Sequence, residues 1–114
     1  ELEDADGNRL AVMDLFRPGR FLAIAGESGQ AWVDAARRLA DAGGWPLDAV
    51  RIGHLEGDYR DPRCAWLRQR QVGADGVVLV RPDRFVGWRS FAAAADPEAA
   101  LRRALGRIMS RPEA

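Results

Sequence analysis

The amino-acid sequence predicts an α/β fold with a central mixed sheet of about four strands and helices on both faces. Short apolar runs bounded by Gly or Pro alternate with segments in which apolar residues recur at helical spacing. These segments follow the order β, α, β, α, β, β, α. The first three predict a βαβ unit with parallel strands, and the last three predict an antiparallel hairpin followed by a helix.

Composition limits the kind of protein that this chain can be. Its 114 residues suffice for one domain, and 47% of them are hydrophobic, which is too many for a disordered segment. The 17 basic residues, all Arg, are balanced by 17 acidic ones, so a nucleic-acid partner is not expected. No apolar run approaches the roughly 20 residues that span a bilayer, and the acidic start lacks the features of a signal peptide. We therefore expect a cytoplasmic protein without a membrane partner.

The beginning of the chain predicts little regular structure. Residues 1–9 are expected to be a linker or lead-in, and residues 10–114 to form a single domain. Within that domain, "LAVMDLF" is expected to form a short strand or helical turn that ends at Pro18-Gly19. Because the chain starts without Met and passes directly into ordered-looking sequence, we expect it to be a piece of a longer protein.

The βαβ unit follows. "RFLAIAG" is typical of a strand buried on both faces, and "LDAVRIG", after Pro46, predicts its parallel neighbour. The segment between them predicts a helix with Ser28 as N-cap and Gly43-Gly44 as its end. Its apolar residues lie at positions i, i+3, i+4 and i+7: Trp32, Ala35, Ala36 and Leu39.

The second half of the chain predicts two helices and a hairpin. A short helix is expected to start with Asp61 as cap and Pro62 as its first residue, and the final helix with Asp96 as cap. The stretch "GVVLVRPDRFVGWRS" between them predicts two strands joined by a tight turn. The final helix has an apolar stripe formed by Leu101, Ala104, Leu105 and Ile108.

The turn of this hairpin can be explained without a ligand. Pro82 fixes a backbone dihedral that suits a tight turn, and Asp83 can accept hydrogen bonds from neighbouring amides. Arg81 and Arg89 flank the turn, where we expect them to pair with carboxylates or to face a neighbouring domain. Trp88 suits either the core or an interface with another domain, and the sequence leaves both open.

Other candidate sites have ordinary structural explanations. The loop Gly26–Gly29 joins a strand to a helix, where an anion can bind, but it matches no phosphate-binding motif. His54 has only common surface carboxylates near it, so no metal site is expected. Cys64, the sole cysteine, excludes an internal disulfide and is expected to be a packing residue rather than a reactive thiolate. We predict no catalytic, cofactor-binding or metal-binding residue in this chain.

The string "DGVVLVRPDRFVGWR" resembles the near-C-terminal signature of the flavin-dependent aromatic-ring hydroxylases, the phenol and 2,4-dichlorophenol 6-monooxygenase group. "MDLFRPGRFLAIAG", "AWVDAARRLA" and "DPRCAWLRQRQVGADG" resemble other family segments in the same order, so the resemblance covers about residues 10–108. Two positions depart from the family pattern: Arg84 stands where Gly is common, and Gly87 where Ala is common. If residue 84 is left-handed, Arg costs on the order of 1 kcal/mol relative to Gly, so we predict a slightly strained or altered turn here.

The resemblance implies a C-terminal thioredoxin-like domain, with the predicted element order, in an enzyme that uses FAD and NAD(P)H to hydroxylate phenolic compounds. In true thioredoxins a redox dithiol occupies the position that Glu27–Gln30 hold here, and Gly73–Gly76 contains no counterpart of the cis-proline. The resemblance therefore implies a non-catalytic domain without its own cofactor, which packs on the FAD and substrate domains or contributes to a homodimer. Its fold-signature or interface residues would be Arg81, Pro82, Asp83, Trp88 and Arg89.

Two other functions stay open at this point. A stand-alone, redox-inactive thioredoxin-like module could use the loop ends near Ser28, His54 and Arg81 to hold an anionic ligand or a protein partner. A thiol enzyme built on Cys64 is a third hypothesis.

Overall fold

One mixed sheet with two α-helices makes up the part of the chain that the computed structural model describes, residues 2–54, 57–61, 66, 70 and 72–109. The strands are β1 (Leu2–Glu3), β2 (Arg9–Leu10), β3 (Phe21–Ala25), β4 (Leu47–Gly53), β5 (Tyr59–Arg60), β6 (Val77–Val80) and β7 (Val86–Ser90). The helices are α1 (Gln30–Gly43) and α2 (Pro97–Met109), and a 3₁₀ turn spans Val12–Leu15. The strand order is β2-β1-β5-β4-β3-β6-β7.

The centre of the sheet follows the predicted connections. β3 and β4 are parallel, with α1 as their crossover, whereas β6 is antiparallel to both β3 and β7. The α/β class and the mixed sheet are therefore confirmed. The expectation of about four strands is wrong, because the described residues contribute seven. The three additional strands have two residues each, too few to show an alternating pattern in the sequence.

The expected lead-in, residues 1–9, supplies part of this sheet. β1 pairs with β2 and with β5, and the side chain of Leu2 is only 1% exposed. Asp4 holds the turn between β1 and β2, since its Oδ1 accepts hydrogen bonds of 2.9 Å from the backbone N–H groups of both Asp6 and Asn8. The bond from Asn8 is the main cause that lowers the pKa of Asp4. Few apolar residues mark this hairpin, which explains why the sequence suggested a linker.

The apolar core has one layer on each face of the sheet. Both α1 and α2 pack on the same face, against inward side chains of β3 and β6 such as Ala23 and Leu79. On the opposite face Leu22 and Val78 contact the segment that contains the 3₁₀ turn, together with Trp66. The two described α-helices thus share one face, whereas Trp66, which belongs to the other predicted helix and is itself helical, lies on the opposite face. Neither of them is long and apolar enough to cross a membrane.

Three predicted helix ends can be compared with the structure. Gly44 ends α1 in a left-handed conformation, with φ 66°, and Asp96 caps α2 by accepting a 3.0 Å hydrogen bond from the Ala99 N–H. Both predictions are confirmed. The Ser28 cap is wrong: Gly29 is the N-cap of α1, because the Gly29 N–H bonds to the Gly26 carbonyl and keeps Ser28 inside the turn before the helix.

The helix predicted to start at Asp61 and Pro62 falls mostly outside the described residues, as does Cys64. Of its predicted residues, Asp61 is described and fully buried, and Trp66 is described as helical. The carbonyl of Trp66 accepts a 2.9 Å hydrogen bond from the Arg70 N–H.

Two arginines in the segment before β3 form an ion-pair cluster with Asp48 at the start of β4. Arg17 donates from two nitrogens to the carboxylate of Asp48, and Arg20 adds a 3.1 Å bond from its Nε. The hydrogen bond from Arg17 is the main cause that lowers the pKa of Asp48. The cluster connects the segment before β3 directly to the neighbouring parallel strand.

Candidate functional site

The β6–β7 turn is the first candidate site, and its polar groups bond to one another. The Arg84 N–H donates to the Arg81 carbonyl at 2.9 Å, which closes a tight turn around Pro82 and Asp83. The Arg81 N–H donates to the Phe85 carbonyl at 2.8 Å and begins the strand ladder. This pattern is a three-residue hairpin loop whose last residue adopts a left-handed conformation.

Arg84 is that left-handed residue, with φ 73°, the only positive φ of a non-glycine residue in the described chain. The altered or strained turn predicted at this position is confirmed. Two contacts of the side chain offset the strain: Nη1 donates to the Pro82 carbonyl at 3.0 Å, and the guanidinium lies 4.6 Å from the ring centre of Phe16. Arg84 thereby ties the hairpin to the N-terminal segment.

Asp83 organises the rest of the turn. Its Oδ1 accepts a 3.2 Å bond from the Phe85 N–H, as the sequence predicted, and its Oδ2 accepts a 2.6 Å bond from Nη2 of Arg81. Arg81 thus meets a carboxylate of its own turn. Arg89 instead donates from Nε to the carbonyl of Arg70 at 3.2 Å. The bonding capacity of this turn is used largely within it, which suits a structural element better than a ligand site.

Trp88 contributes both to the core and to a surface cleft. Its ring meets Trp32 edge to face, with centroids 5.9 Å apart, and packs on the core layer beneath α1 and α2. It also lines an open cleft of about 330 Å³ between β7 and α2, together with Gly87, Ala104, Arg107 and Ile108. The core alternative that the sequence offered for Trp88 therefore describes one side of the ring, and the interface with another domain stays a prediction.

The loop Gly26–Gly29 has little free bonding capacity for an anion. The Gly26 N–H donates to Gly76 O at 3.1 Å, the Ser28 N–H to Ala74 O at 2.9 Å, and the Gly29 N–H to Gly26 O at 2.9 Å. Gly26 is required here for a close approach, because a Cβ at this position would lie 2.1 Å from the Ala74 carbonyl oxygen. The loop holds the strand-to-helix connection against the segment before β6.

A buried charged cluster beside this loop was not found from the sequence. Arg70 is 8% exposed, and its Nη1 lies 3.7 Å from Oε2 of Glu27. Arg51 donates from Nη1 to the Glu27 carbonyl at 2.7 Å. Three separate parts of the chain supply these residues, so no local spacing could have indicated the cluster.

The residues proposed for an anion-binding module do not converge. Ser28 follows the carboxyl end of β3, and His54 follows the carboxyl end of β4. Because these strands are parallel, both residues lie at the same end of the sheet's strands. Arg81 follows Val80, which pairs with Leu22 near the start of β3. Arg81 therefore lies at the opposite end of the strands, about 13 Å away along β3. The described residues also contain no group of three or more His, Cys, Asp or Glu that could hold a metal ion.

Comparisons with known proteins identify a family. The family model described as "Aromatic-ring hydroxylase, C-terminal" matches residues 1–112. Phenol 2-monooxygenase from Pseudomonas sp. (strain EST1001) is 51% identical over 93 residues, covering 82% of this chain and 15% of that protein. 2,4-Dichlorophenol 6-monooxygenase from Delftia acidovorans is 37% identical over 107 residues, covering 91% of this chain and 18% of that protein.

A solved structure agrees with these matches. The ternary complex of aklavinone-11 hydroxylase with FAD and aklavinone superposes with a TM-score of 0.84 at 36% identity, covering 96% of this chain and 20% of that one. The chain thus spans about a fifth or less of the length of these relatives. By the match over nearly all of its residues, it belongs to the family of aromatic-ring hydroxylase C-terminal regions.

Proposed function

We propose that this chain is the C-terminal domain of a longer, cytoplasmic aromatic monooxygenase that uses FAD and NAD(P)H and hydroxylates a phenol-type substrate. The observation that carries the proposal is the family match over residues 1–112 in a chain that spans only 15% to 20% of its relatives. The similarity to phenol 2-monooxygenase, at 51% identity, supports a phenol-type substrate. Solved relatives in complex with FAD and substrate support the choice of cofactor.

The domain itself has a structural role in this proposal. The turn formed by Arg81, Pro82 and Asp83 bonds mainly to itself, and the amides of Gly26, Ser28 and Gly29 bond to other backbone groups. We therefore assign FAD, NAD(P)H and substrate to the remaining part of the protein. The domain would pack on the FAD and substrate domains or contribute to a homodimer, with Trp88 and Arg89 near the contact surface and no nucleic-acid partner.

We further propose that residues 10–114 form a thioredoxin-like unit, which the preceding strand β1 extends. The order β4-β3-β6-β7, with a helical crossover between β3 and β4 and an antiparallel β6–β7 hairpin, supports this assignment. The unit would be redox-inactive, since Glu27–Gln30 occupy the place of the dithiol at the start of α1.

Purification of the native gene product tests the proposal. We expect an intact mass several times that of this 12.5 kDa chain, a yellow protein with a flavin absorption spectrum, and NAD(P)H oxidation that a phenol stimulates. Assays with NADH and NADPH separately identify the electron donor. The separately expressed chain of 114 residues serves as control and should be colourless and inactive.

Two results would contradict the proposal. A native product that begins within a few residues of Glu1 would leave no room for the FAD and substrate domains. A full-length protein that binds no flavin would exclude the monooxygenase.

A further inference from the structure

Strand β7 lies at one end of the sheet and has a single neighbour, β6, among the described strands. One side of its backbone is therefore available for pairing. Exposed edges of this kind are usually protected by charged side chains, by proline or by a covering segment. β7 has five residues, none of them proline, and only Arg89 is charged. Its sequence offers modest protection for an edge that has no second neighbour among the described strands.

Exposed apolar side chains concentrate on the same strand. Phe85 is 69% exposed, Val86 40% and Phe91 72%, and they lie immediately before, in and after β7. Among the described residues, Met13, in the 3₁₀ turn, is the other large apolar side chain with comparable exposure. Clustered apolar exposure is more typical of a contact surface than isolated exposed residues are.

The cleft beside β7 adds a pocket to this edge. Its floor consists of Trp88, Ala104 and Ile108. Gly87 keeps it open, since a Cβ at this position would lie 2.8 Å from Cδ1 of Ile108. An apolar side chain that enters this cleft would contact an aromatic ring and aliphatic side chains. Arg107 also lines the cleft.

The charge at this edge indicates what kind of segment fits. Arg103 and Arg107 lie one helical turn apart on the exposed side of α2, and neither has an ion-pair partner among the described residues. Arg89 is also exposed, although its Nε donates to the Arg70 carbonyl at 3.2 Å. A symmetric contact between two copies would bring two sets of these arginines into one interface, which is unfavourable. A segment that brings its own carboxylates is complementary.

We propose that β7 and the cleft dock an extended, acidic segment from the remaining part of the same longer protein. Its backbone pairs with the free edge of β7, one apolar side chain enters the cleft, and its carboxylates face Arg103 and Arg107. The inference rests on the proposed function, because it requires a longer protein. This chain spans only 15% to 20% of the length of its relatives. It goes further by naming the surface and the chemistry of the contact.

Photo-crosslinking in the full-length protein tests the docking surface. Benzoylphenylalanine placed at position 85 should, on irradiation, form an intrachain link to a peptide outside residues 1–114 that contains Asp or Glu. The same probe at position 13, which is also exposed but lies on a different part of the fold, is the matched control and should not link to that peptide. Links between two copies of the chain, or no intrachain link from position 85, would overturn the proposal.

A charge reversal tests the complementarity. Arg107→Glu should lower the yield of the intrachain link about tenfold, and Arg107→Gln should lower it less. Arg37→Glu, which reverses an exposed arginine of α1, should leave the yield unchanged. An unchanged yield in Arg107→Glu would reject the acidic segment. The flavin spectrum separates the two proposals. A colourless full-length protein that still forms the link would contradict only the monooxygenase. A yellow protein without the link would contradict only the docking surface.

Discussion

Arg84 combines an unfavourable backbone conformation with favourable side-chain contacts, and two substitutions separate these effects. Arg84→Ala keeps the left-handed residue but removes the contacts with Phe16 and the Pro82 carbonyl, so it should destabilise the protein by about 0.5–1 kcal/mol. Arg84→Gly removes the contacts and the strain, and should be about 1 kcal/mol more stable than Arg84→Ala. Urea unfolding measures both free energies. Equal stability of the two variants would show that the turn relaxes without cost.

At the same scale, Asp48 should make stability depend on pH. The arginine hydrogen bonds lower the pKa of Asp48 in the folded state. Its contribution to the free energy of unfolding is therefore complete above the unfolded pKa, near 3.9, and is lost as the pH falls through the lower pKa of the folded state. Asp48→Asn should cost about 1 kcal/mol at neutral pH, and its deficit relative to the native sequence should shrink below about pH 4. Denaturant unfolding between pH 7 and pH 3 measures this. Asp41→Asn, on the exposed side of α1, is the control for loss of one negative charge; a deficit in Asp48→Asn that persists to pH 3 would contradict the assignment.

At the scale of elements, two glycines should differ in how much they tolerate a methyl group. Gly26→Ala places Cβ 2.1 Å from a backbone oxygen that cannot move independently, so we expect a loss of about 3 kcal/mol. Gly44→Ala has open space around Cβ but a positive φ, so it should lose only about 1 kcal/mol. Thermal unfolding of both variants checks the order. A larger loss at Gly44 would mean that the left-handed conformation at Gly44 costs more than the close contact at Gly26.

Elements that depend on local chemistry could be predicted from the sequence. Gly44 and Asp96 end and begin their helices as expected, because a left-handed cap and an Asp cap act on residues within one turn. β1, β2 and β5 could not be predicted, since strands of two residues show no alternating pattern and the pairing of β1 with β5 joins distant parts of the sequence. The turn chemistry of Pro82 and Asp83 was predicted, but the cleft beside Trp88 was not, because α2 forms its other wall.

For the molecule as a whole, burial of Leu2 makes the N-terminal hairpin part of the fold. Leu2→Ala should reduce the free energy of unfolding by about 2–4 kcal/mol, although the sequence pattern suggested a linker at this position. Met13→Ala, which truncates a 55% exposed side chain, is the control and should change stability little. Chemical denaturation of both variants measures the difference. If Leu2→Ala is neutral, β1 contributes no stability.

The sheet order also constrains when the protein can fold during synthesis. β1 is made first among the described strands, yet its neighbour β5 follows only after the entire βαβ unit has been translated. Until then the apolar face of β3, with Leu22 and Ile24, lacks part of the cover that the N-terminal segment provides. A ribosome-bound chain would therefore expose this face of β3 to the solvent or to a chaperone. The sheet is complete only after β1 has paired with β5.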